Sequence, residues 1–232
     1  MTVYEAKETI FRKITTEIFS AKQAASVYQN IGKQSSTLNT SRYREFFGLI
    51  QSYALSFLIL SLGKLFEKPC QRNPNFSILT VLDCLINNLQ GVPANKGSLW
   101  KLASYLSSNR KEQEALILNP ERIKHDLLDD FKNRCPTLPA RPGYQLDSAY
   151  EGVRVLRDKR VAHSENCDLS CLPKLTGNDI EALIAYCESF KYLVGYGLFG
   201  FSMKGFVKPN DLDLLNQTGG QTLRQIIDRL DL

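Results

Sequence analysis

Three arginines and a histidine recur at intervals of three residues in the second half of this sequence. They are Arg154, Arg157, Arg160 and His163, and His163 is one of only 2 histidines among 232 residues. A titratable imidazole beside fixed positive charges is what binding or cleaving a phosphodiester requires. The pattern therefore indicates a ligand that carries phosphate groups.

Helical spacing places these four side chains on one slanting ridge, because each step of three residues rotates by about 60°. Arg157 and His163 nevertheless diverge by about 120° and lie roughly 9 Å apart along the axis, which is poor geometry for holding one phosphate. If two such helices meet around a two-fold axis, the arginine of each chain approaches the histidine of the other. The alternative interpretation is a set of solvated cations near a helix C-terminus, where the macrodipole favours them.

The run Leu156–His163 resembles the Arg-polar-(x)n-His signature of the HEPN superfamily (higher eukaryotes and prokaryotes nucleotide-binding), with five residues between Arg157 and His163. The segment Arg44–Leu55, which continues into Leu62–Phe66, is similar to the second helix of its abortive-infection (AbiU-like) branch. The likeness covers roughly residues 10–200. We expect a HEPN-like helical domain over residues 1–200 and a C-terminal extension of unassigned role over 201–232.

The resemblance implies an all-α bundle of long antiparallel helices that dimerises through the motif helix. It also implies a metal-independent endoribonuclease, in phage defence or a toxin–antitoxin system, that leaves a 2′,3′-cyclic phosphate. In that chemistry His163 would be the general acid/base, Arg157 would offset charge on the phosphoryl oxygens, and Asp158 would orient Arg157 or His163. The cations expected to hold the RNA backbone are Arg154, Lys159 and Arg160.

A second function class uses the same cleft without cleavage, as a module that binds nucleotide, RNA or a partner protein. A likeness of fold does not separate the two classes, because function depends on the site. The expected partners are RNA, with tRNA as one candidate, and a second copy of the chain. An antitoxin or nucleotidyltransferase is a further candidate partner, and no cofactor or metal is expected.

A third interpretation is a zinc site built from His163, Cys167 and Cys171, with Cys187 as a fourth ligand. The spacing departs from the usual Cys-x2–4-Cys knuckle, and zinc on the imidazole would prevent it from moving protons. Reduced thiols in core or loop are favoured for the 6 cysteines, because nothing marks the chain for export. The other histidine, His125, is predicted to form local ion pairs on a solvated helix face.

Composition is that of a globular chain, with 43% hydrophobic and 23% charged residues. A net charge of +5 permits a polyanionic partner without requiring one. The segment Met1–Glu8 does not resemble a secretory signal, so a cytoplasmic location is expected. Residues Phe46–Gly63 carry no charge and approach the length of a membrane span, but polar residues interrupt them. We therefore predict a central bundle helix that is buried on most sides, and no membrane contact.

Hydrophobic periodicity and breakers predict helices throughout, with no alternating run that favours a sheet. Asn119, Pro120 and Glu121 have the types expected at a helix start, and Asn178 with Glu181 has the spacing of a capping box. The stretch Gln34–Ser41 is predicted to be a loop and Cys135–Tyr144 a proline-stiffened connector. The predicted helices cover residues 4–31, 41–67, 77–89, 99–106, 111–118, 119–134, 146–163, 178–199 and 222–230.

Overall fold

The computed structural model of the chain describes residues 1–68, 76–162 and 175–201, with side chains in the second range described to residue 159. These residues form an all-α bundle without a strand, which confirms the predicted fold class. The α-helices are α1 (Val3–Glu8), α2 (Thr15–Lys33), α3 (Ser35–Leu38), α4 (Arg44–Phe66), α5 (Ile78–Asn87), α6 (Leu99–Leu106), α7 (Arg110–Ile117), α8 (Pro120–Arg134), α9 (Gln145–Leu156) and α10 (Gly177–Phe190). The predicted helix at 222–230 lies outside the described residues.

Segments of π-helix and 3-10 helix occur next to several of the α-helices. Segments of π-helix cover Thr9–Ile14, Arg157–Ala162 and Lys191–Leu198, so the first two α-helices form one long rod and α9 and α10 are each extended at their C-termini. Short 3-10 turns lie at Leu89–Gly91 and Lys96–Ser98.

Local capping signals were predicted with mixed success. Asn119 caps α8 as predicted, with its side-chain oxygen accepting from the backbone N–H of Arg122 and proline at the first helical position. The capping box predicted at Asn178 is wrong, because Thr176 caps α10 and pairs reciprocally with Asp179. The predicted loop after α2 contains the short helix α3, whose Leu38 packs with Ile31 and Phe47 in a small separate cluster.

The centre of the bundle is formed by α2, α4, α9 and α10. Helix α4 packs along α2 and also contacts α9, while α10 contacts α2, α4 and α9. Around this centre, α5 packs on α8, and α6 packs on α7 and α8. The completely buried side chains are mostly branched aliphatic and aromatic residues: Ile10, Ile14, Ile18, Leu58, Ile59, Leu62, Leu65, Phe66, Ile78, Leu82, Phe131 and Phe190.

An aromatic cluster joins α4, α8, α9 and α10. The ring of Phe66 lies 5.5 Å from that of Tyr150 and 5.7 Å from that of Tyr186, between ring centroids. Tyr186 also meets Phe131 edge to face at 5.7 Å, and its hydroxyl donates to the Phe131 carbonyl at 2.8 Å. Edge-to-face pairs add about 0.5–1.5 kcal/mol each to the burial of the rings. The cluster therefore fixes the position of α9 against α4.

Helix α4 differs from its prediction as a helix buried on most sides. Before Leu58 its only buried residue is Phe47, and the other buried residues all lie in its C-terminal half. Its length and composition are sufficient for a membrane span, yet 39% of its most apolar 18 residues are buried in the protein. A central α-helix therefore explains only the C-terminal half of this apolar stretch.

A buried carboxylate anchors the start of α9 to the preceding connector. Asp147 is completely buried and accepts hydrogen bonds from Arg141 Nε at 2.6 Å and from the backbone N–H of Thr137 at 3.1 Å. Two further hydrogen bonds reach the same carboxylate, from Arg141 Nη2 to Oδ1 at 2.9 Å and from the Thr137 hydroxyl to Oδ2 at 3.0 Å. The proline-rich connector is thus closed by an ion pair with several charge-assisted hydrogen bonds.

We expect Asp147→Asn to lower the free energy of unfolding by about 2–3 kcal/mol at neutral pH. Burial raises the pKa of Asp147, but hydrogen bonds from Arg141 and Thr137 outweigh burial and lower it to about 2. Because the folded pKa lies below the unfolded one, this stabilisation is present above about pH 4 and is lost as the pH falls toward 2.

Urea unfolding between pH 2 and pH 7 measures this effect, with Asp129→Asn, whose side chain is 42% exposed, as the matched control. The Asp147 variant should lose part of the wild-type dependence on pH below pH 4, and the control should follow wild type. Equal stability of the two variants at pH 7 would contradict an anchoring role for Asp147.

Candidate functional site

Arg157 begins the π-helical segment that follows α9, and its side chain crosses α4 at a glycine. A Cβ placed on Gly63 would lie 3.2 Å from Arg157 Cδ and 3.5 Å from its Nη1. The missing side chain at Gly63 therefore leaves the space that the arginine occupies. A π-helical turn inside a longer helix is frequently found at functional sites.

Two carboxylates hold the guanidinium of Arg157. Its Nε donates to Asp158 Oδ1 at 3.0 Å, and its Nη1 lies 3.4 Å from Glu67 Oε1, just past the end of α4. On its other side Asp158 faces Arg154, with 3.7 Å between Oδ2 and Arg154 Nη1. Asp158 therefore lies between two arginines. The sequence pattern suggested a ridge of positive charge, but Arg154 and Arg157 are each close to a carboxylate.

Burial and neighbouring charges shift the pKa of Arg157 in opposite directions, and the Arg157 side chain is 25% exposed. Desolvation lowers the pKa of Arg157, but the hydrogen bond and charge of Asp158 and the charge of Glu67 raise it above its ordinary value. Beneath it, burial raises the pKa of Tyr150 to about 12, with Arg157 lowering it and Glu67 raising it. The site therefore presents a permanently charged guanidinium above a neutral phenol.

The remaining predicted site residues are only partly placed. Lys159 is exposed on the π-helical segment, and the backbone of Arg160 belongs to the same segment. The side chain of Arg160 and the whole of His163 lie outside the described residues. The structure thus brings Arg154, Arg157 and Asp158 together, while the pairing of Arg157 with His163 stays a prediction.

Sequence reasoning did not identify Gly63, Glu67 or Tyr150 as parts of this site. Gly63 and Glu67 are four residues apart at the end of α4, the spacing that places two residues on one side of a helix. That regularity is visible in the sequence, but Glu67 is 90 residues from its partner Arg157. No local signal connects them.

The described cysteines and the second histidine do not form a metal site. Cys84, Cys135 and Cys187 are buried free thiols, and burial raises the pKa of Cys187 well above its ordinary value. His125 is exposed, with Nδ1 3.4 Å from Asp126 and Nε2 3.3 Å from Asp129, as its predicted ion pairing requires. In residues 1–68, 76–162 and 175–201 no cluster of three ligating side chains occurs, and His163, Cys167 and Cys171 of the zinc alternative lie outside this range.

Comparison of the chain with protein-family models, curated proteins and solved structures finds no significant match. A family assignment therefore depends on the residues themselves.

A pair of glycine substitutions tests whether Gly63 makes room for Arg157. We expect Gly48→Ala to raise the free energy of unfolding by about 0.5–1 kcal/mol, because alanine favours helix and no atom lies within 4 Å of a Cβ at Gly48. Gly63→Ala, in the same helix, should gain less or lose stability because the methyl group meets Arg157. Urea unfolding of both single variants measures the difference.

The double variant Gly63→Ala/Arg157→Ala serves as the second half of this test. Removing the arginine should restore the gain from alanine at 63, beyond the effect of Arg157→Ala alone. Equal gains from alanine at positions 48 and 63 in the wild-type background would mean that Arg157 does not need this space.

Proposed function

We propose that this chain is a HEPN-type, metal-independent endoribonuclease that acts in the cytoplasm as a homodimer through its motif helix. The observation that carries the proposal is the placement of Arg157. Its side chain is 25% exposed, and its guanidinium donates a hydrogen bond to the adjacent Asp158, at the start of the segment that leads to His163. The resemblance assigns the polar position of the motif to Asp158. A hydrogen bond from Arg157 Nε to this carboxylate supports a role for Asp158 in orienting the arginine.

The proposed reaction is a transesterification within RNA. The ribose 2′-hydroxyl attacks the adjacent phosphorus, the P–O5′ bond breaks, and a 2′,3′-cyclic phosphate and a 5′-hydroxyl are left. His163 exchanges the proton at the attacking or leaving oxygen, as a general acid/base. Arg157 offsets the charge that develops on the phosphoryl oxygens, which suits its planar fork of donors.

The carboxylates around Arg157 are compatible with phosphate binding because one of them is held loosely. The contact of Glu67 with Nη1 is long at 3.4 Å, and the Glu67 side chain is 40% exposed. A pair of this kind contributes about 0.2–1 kcal/mol. A phosphate can therefore replace Glu67 on the outer edge of the guanidinium while Asp158 keeps Nε oriented.

The remaining parts of the proposal concern partners. Arg154, Lys159 and Arg160 hold the RNA backbone, whose affinity should fall with salt as counterions are released. RNA, including tRNA, is the proposed substrate, in phage defence or a toxin–antitoxin system. An antitoxin or nucleotidyltransferase that covers the motif would keep such an enzyme inactive.

One observation favours a second candidate function, a module that binds nucleotide, RNA or a partner protein without cleaving it. Arg154 and Arg157 are each near a carboxylate, so the local charge of the two arginines, Glu67 and Asp158 is close to balanced. A balanced cluster attracts phosphate less strongly than an arginine ridge would. It is also able to exchange ion pairs with a charged partner protein.

The nuclease proposal predicts RNA cleavage in excess chelator that depends on both motif residues. We expect Arg157→Ala to slow cleavage about 100-fold to 1000-fold and His163→Ala about 100-fold to 10,000-fold. The assay incubates the purified full chain with tRNA and total RNA and identifies the cyclic phosphate by mass spectrometry. Arg110→Ala on exposed α7 is the matched control and should cleave like wild type.

Intact RNA in every incubation, together with saturable binding that Arg157→Ala weakens, would favour the binding module over the nuclease. Cleavage that survives both Arg157→Ala and His163→Ala would place the activity elsewhere or in a contaminant.

The loose contact of Glu67 gives a separate prediction for binding. We expect Glu67→Gln to strengthen RNA binding about two- to fivefold, since removal of a competing carboxylate is worth up to about 1 kcal/mol. Asp158→Ala should not strengthen binding in the same way, because it removes the acceptor that orients Arg157. Fluorescence anisotropy at several salt concentrations measures both variants. Weaker RNA binding by Glu67→Gln would show that Glu67 supports the phosphate site.

A further inference from the structure

The N-terminal two thirds of α4 carries a stripe of exposed apolar side chains. Its members are Phe46 (57% exposed), Leu49 (53%), Tyr53 (61%), Phe57 (63%) and Leu60 (37%). At about 100° per residue these five positions fall within an arc of about 80°, so they form a single narrow line along the helix. We refer to these five residues as the α4 stripe.

The size of the α4 stripe exceeds what isolated surface residues present. Taking about 200 Å² for an aromatic side chain, its three aromatic residues alone expose roughly 350 Å². Contiguous apolar patches of about 300–600 Å² are the largest on a typical monomer and are often functional. The two leucines enlarge the patch further, toward the roughly 800 Å² that each partner buries in a standard interface.

The spacing within the α4 stripe is palindromic. Successive members are separated by 3, 4, 4 and 3 residues, so the pattern is the same in both directions from Tyr53. In a two-fold interface, if residue i contacts residue j of the partner, then j contacts i. Two antiparallel copies of α4 therefore bring Tyr53 opposite Tyr53, Leu49 opposite Phe57, and Phe46 opposite Leu60, with no member left over.

Charge supports the same arrangement. Residues 46–63 contain no charged side chain, while Arg44 and Glu45 begin α4 and Lys64 lies near its end. A parallel pairing would place Lys64, which continues the line of the stripe, against its own copy. An antiparallel pairing instead separates the two Lys64 side chains to opposite ends of the interface and opposes the two helix dipoles favourably.

We propose that the α4 stripe is a two-fold interface between antiparallel copies of the chain, with Tyr53 on the axis, in addition to the motif-helix pairing of the proposed function. A membrane surface is a weaker fit, because amphipathic membrane helices carry lysine and arginine along their polar face. The flanks of this stripe carry Ser52 and Ser56 instead.

This interface is separate from the motif-helix pairing of the proposed nuclease. Gly63, which Arg157 crosses, is ten residues from Tyr53, or about 15 Å along the helix. The two Arg157 sites of an α4-paired dimer are therefore about 30 Å apart along the helices. RNA cleavage and α4 pairing can fail independently of each other.

Directional disulfide cross-linking tests the proposal in the full chain. Chains carrying Leu49→Cys should cross-link to chains carrying Phe57→Cys when the two are mixed, and each alone should not. In the antiparallel arrangement identical positions at 49 are about 12 Å apart along the helices, beyond the reach of a disulfide. Tyr53→Cys alone should cross-link to itself. Ser148→Cys, at an exposed position of α9, is the control, and mass spectrometry identifies the linked residues.

Light scattering with size separation adds a measurement without cysteines. Tyr53→Arg should halve the mass of the assembly while the helical circular dichroism and the unfolding temperature stay as in wild type, because the side chain is largely exposed. A wild-type mass of 26.3 kDa at about 100 μM would overturn the proposal. So would self-linking of both Leu49→Cys and Phe57→Cys, which indicates parallel pairing, or an assembly unchanged by Tyr53→Arg, which places the interface elsewhere. Binding to lipid vesicles that Tyr53→Arg abolishes, with no cross-linked dimer, would identify a membrane as the occupant.

Discussion

The candidate site depends on the close approach of Arg157 to α4 at Gly63. A Cβ at position 63 would lie 3.2 Å from Arg157 Cδ, so the arginine would have to shift by a few tenths of an ångström from the position in which it contacts Glu67. The approach is possible because α9 is fixed at its start and at its middle. Asp147 closes the connector at its start, and the aromatic contact between Tyr150 and Phe66 holds its middle against α4. The charged group is thus positioned by the buried packing of the helix that carries it.

The sequence predicted those features that depend on neighbouring residues. Asn119 and Pro120 are enough to predict the start of α8. The all-α class follows from hydrophobic periodicity and from helix-breaking residues along the chain. The error at α10 has the same local origin, since Thr176 with Asp179 and Asn178 with Glu181 both have the types and spacing of a capping box. The exposed apolar side chains of α4 were not predictable from neighbouring residues. A helix that is apolar on all sides gives no signal of which side will be covered by another helix.

Long-range pairing explains most of what was missed at the site. The spacing of the arginines was visible, and it predicted a ridge of positive charge. The carboxylate that alters this interpretation, Glu67, comes from a helix 90 residues earlier in the chain. The resulting cluster pairs its charges internally, so the number of arginines in the motif overstates the field available to a ligand. Whether Arg157 serves a phosphate therefore depends on how easily Glu67, whose contact with the guanidinium is longer than that of Asp158, is displaced.

The two halves of α4 have different surroundings, and this difference connects the fold to both proposals. From Leu58 onward most of its side chains are buried and its end contacts Arg157, so this half belongs to the core that positions the site. Between Phe46 and Leu60 the same helix leaves apolar residues exposed at intervals that are the same in both directions from Tyr53. A helix held rigidly by its buried half presents its exposed half with little conformational entropy left to lose on association. The packing that positions Arg157 therefore also holds the α4 stripe rigid for pairing with a second copy of the chain.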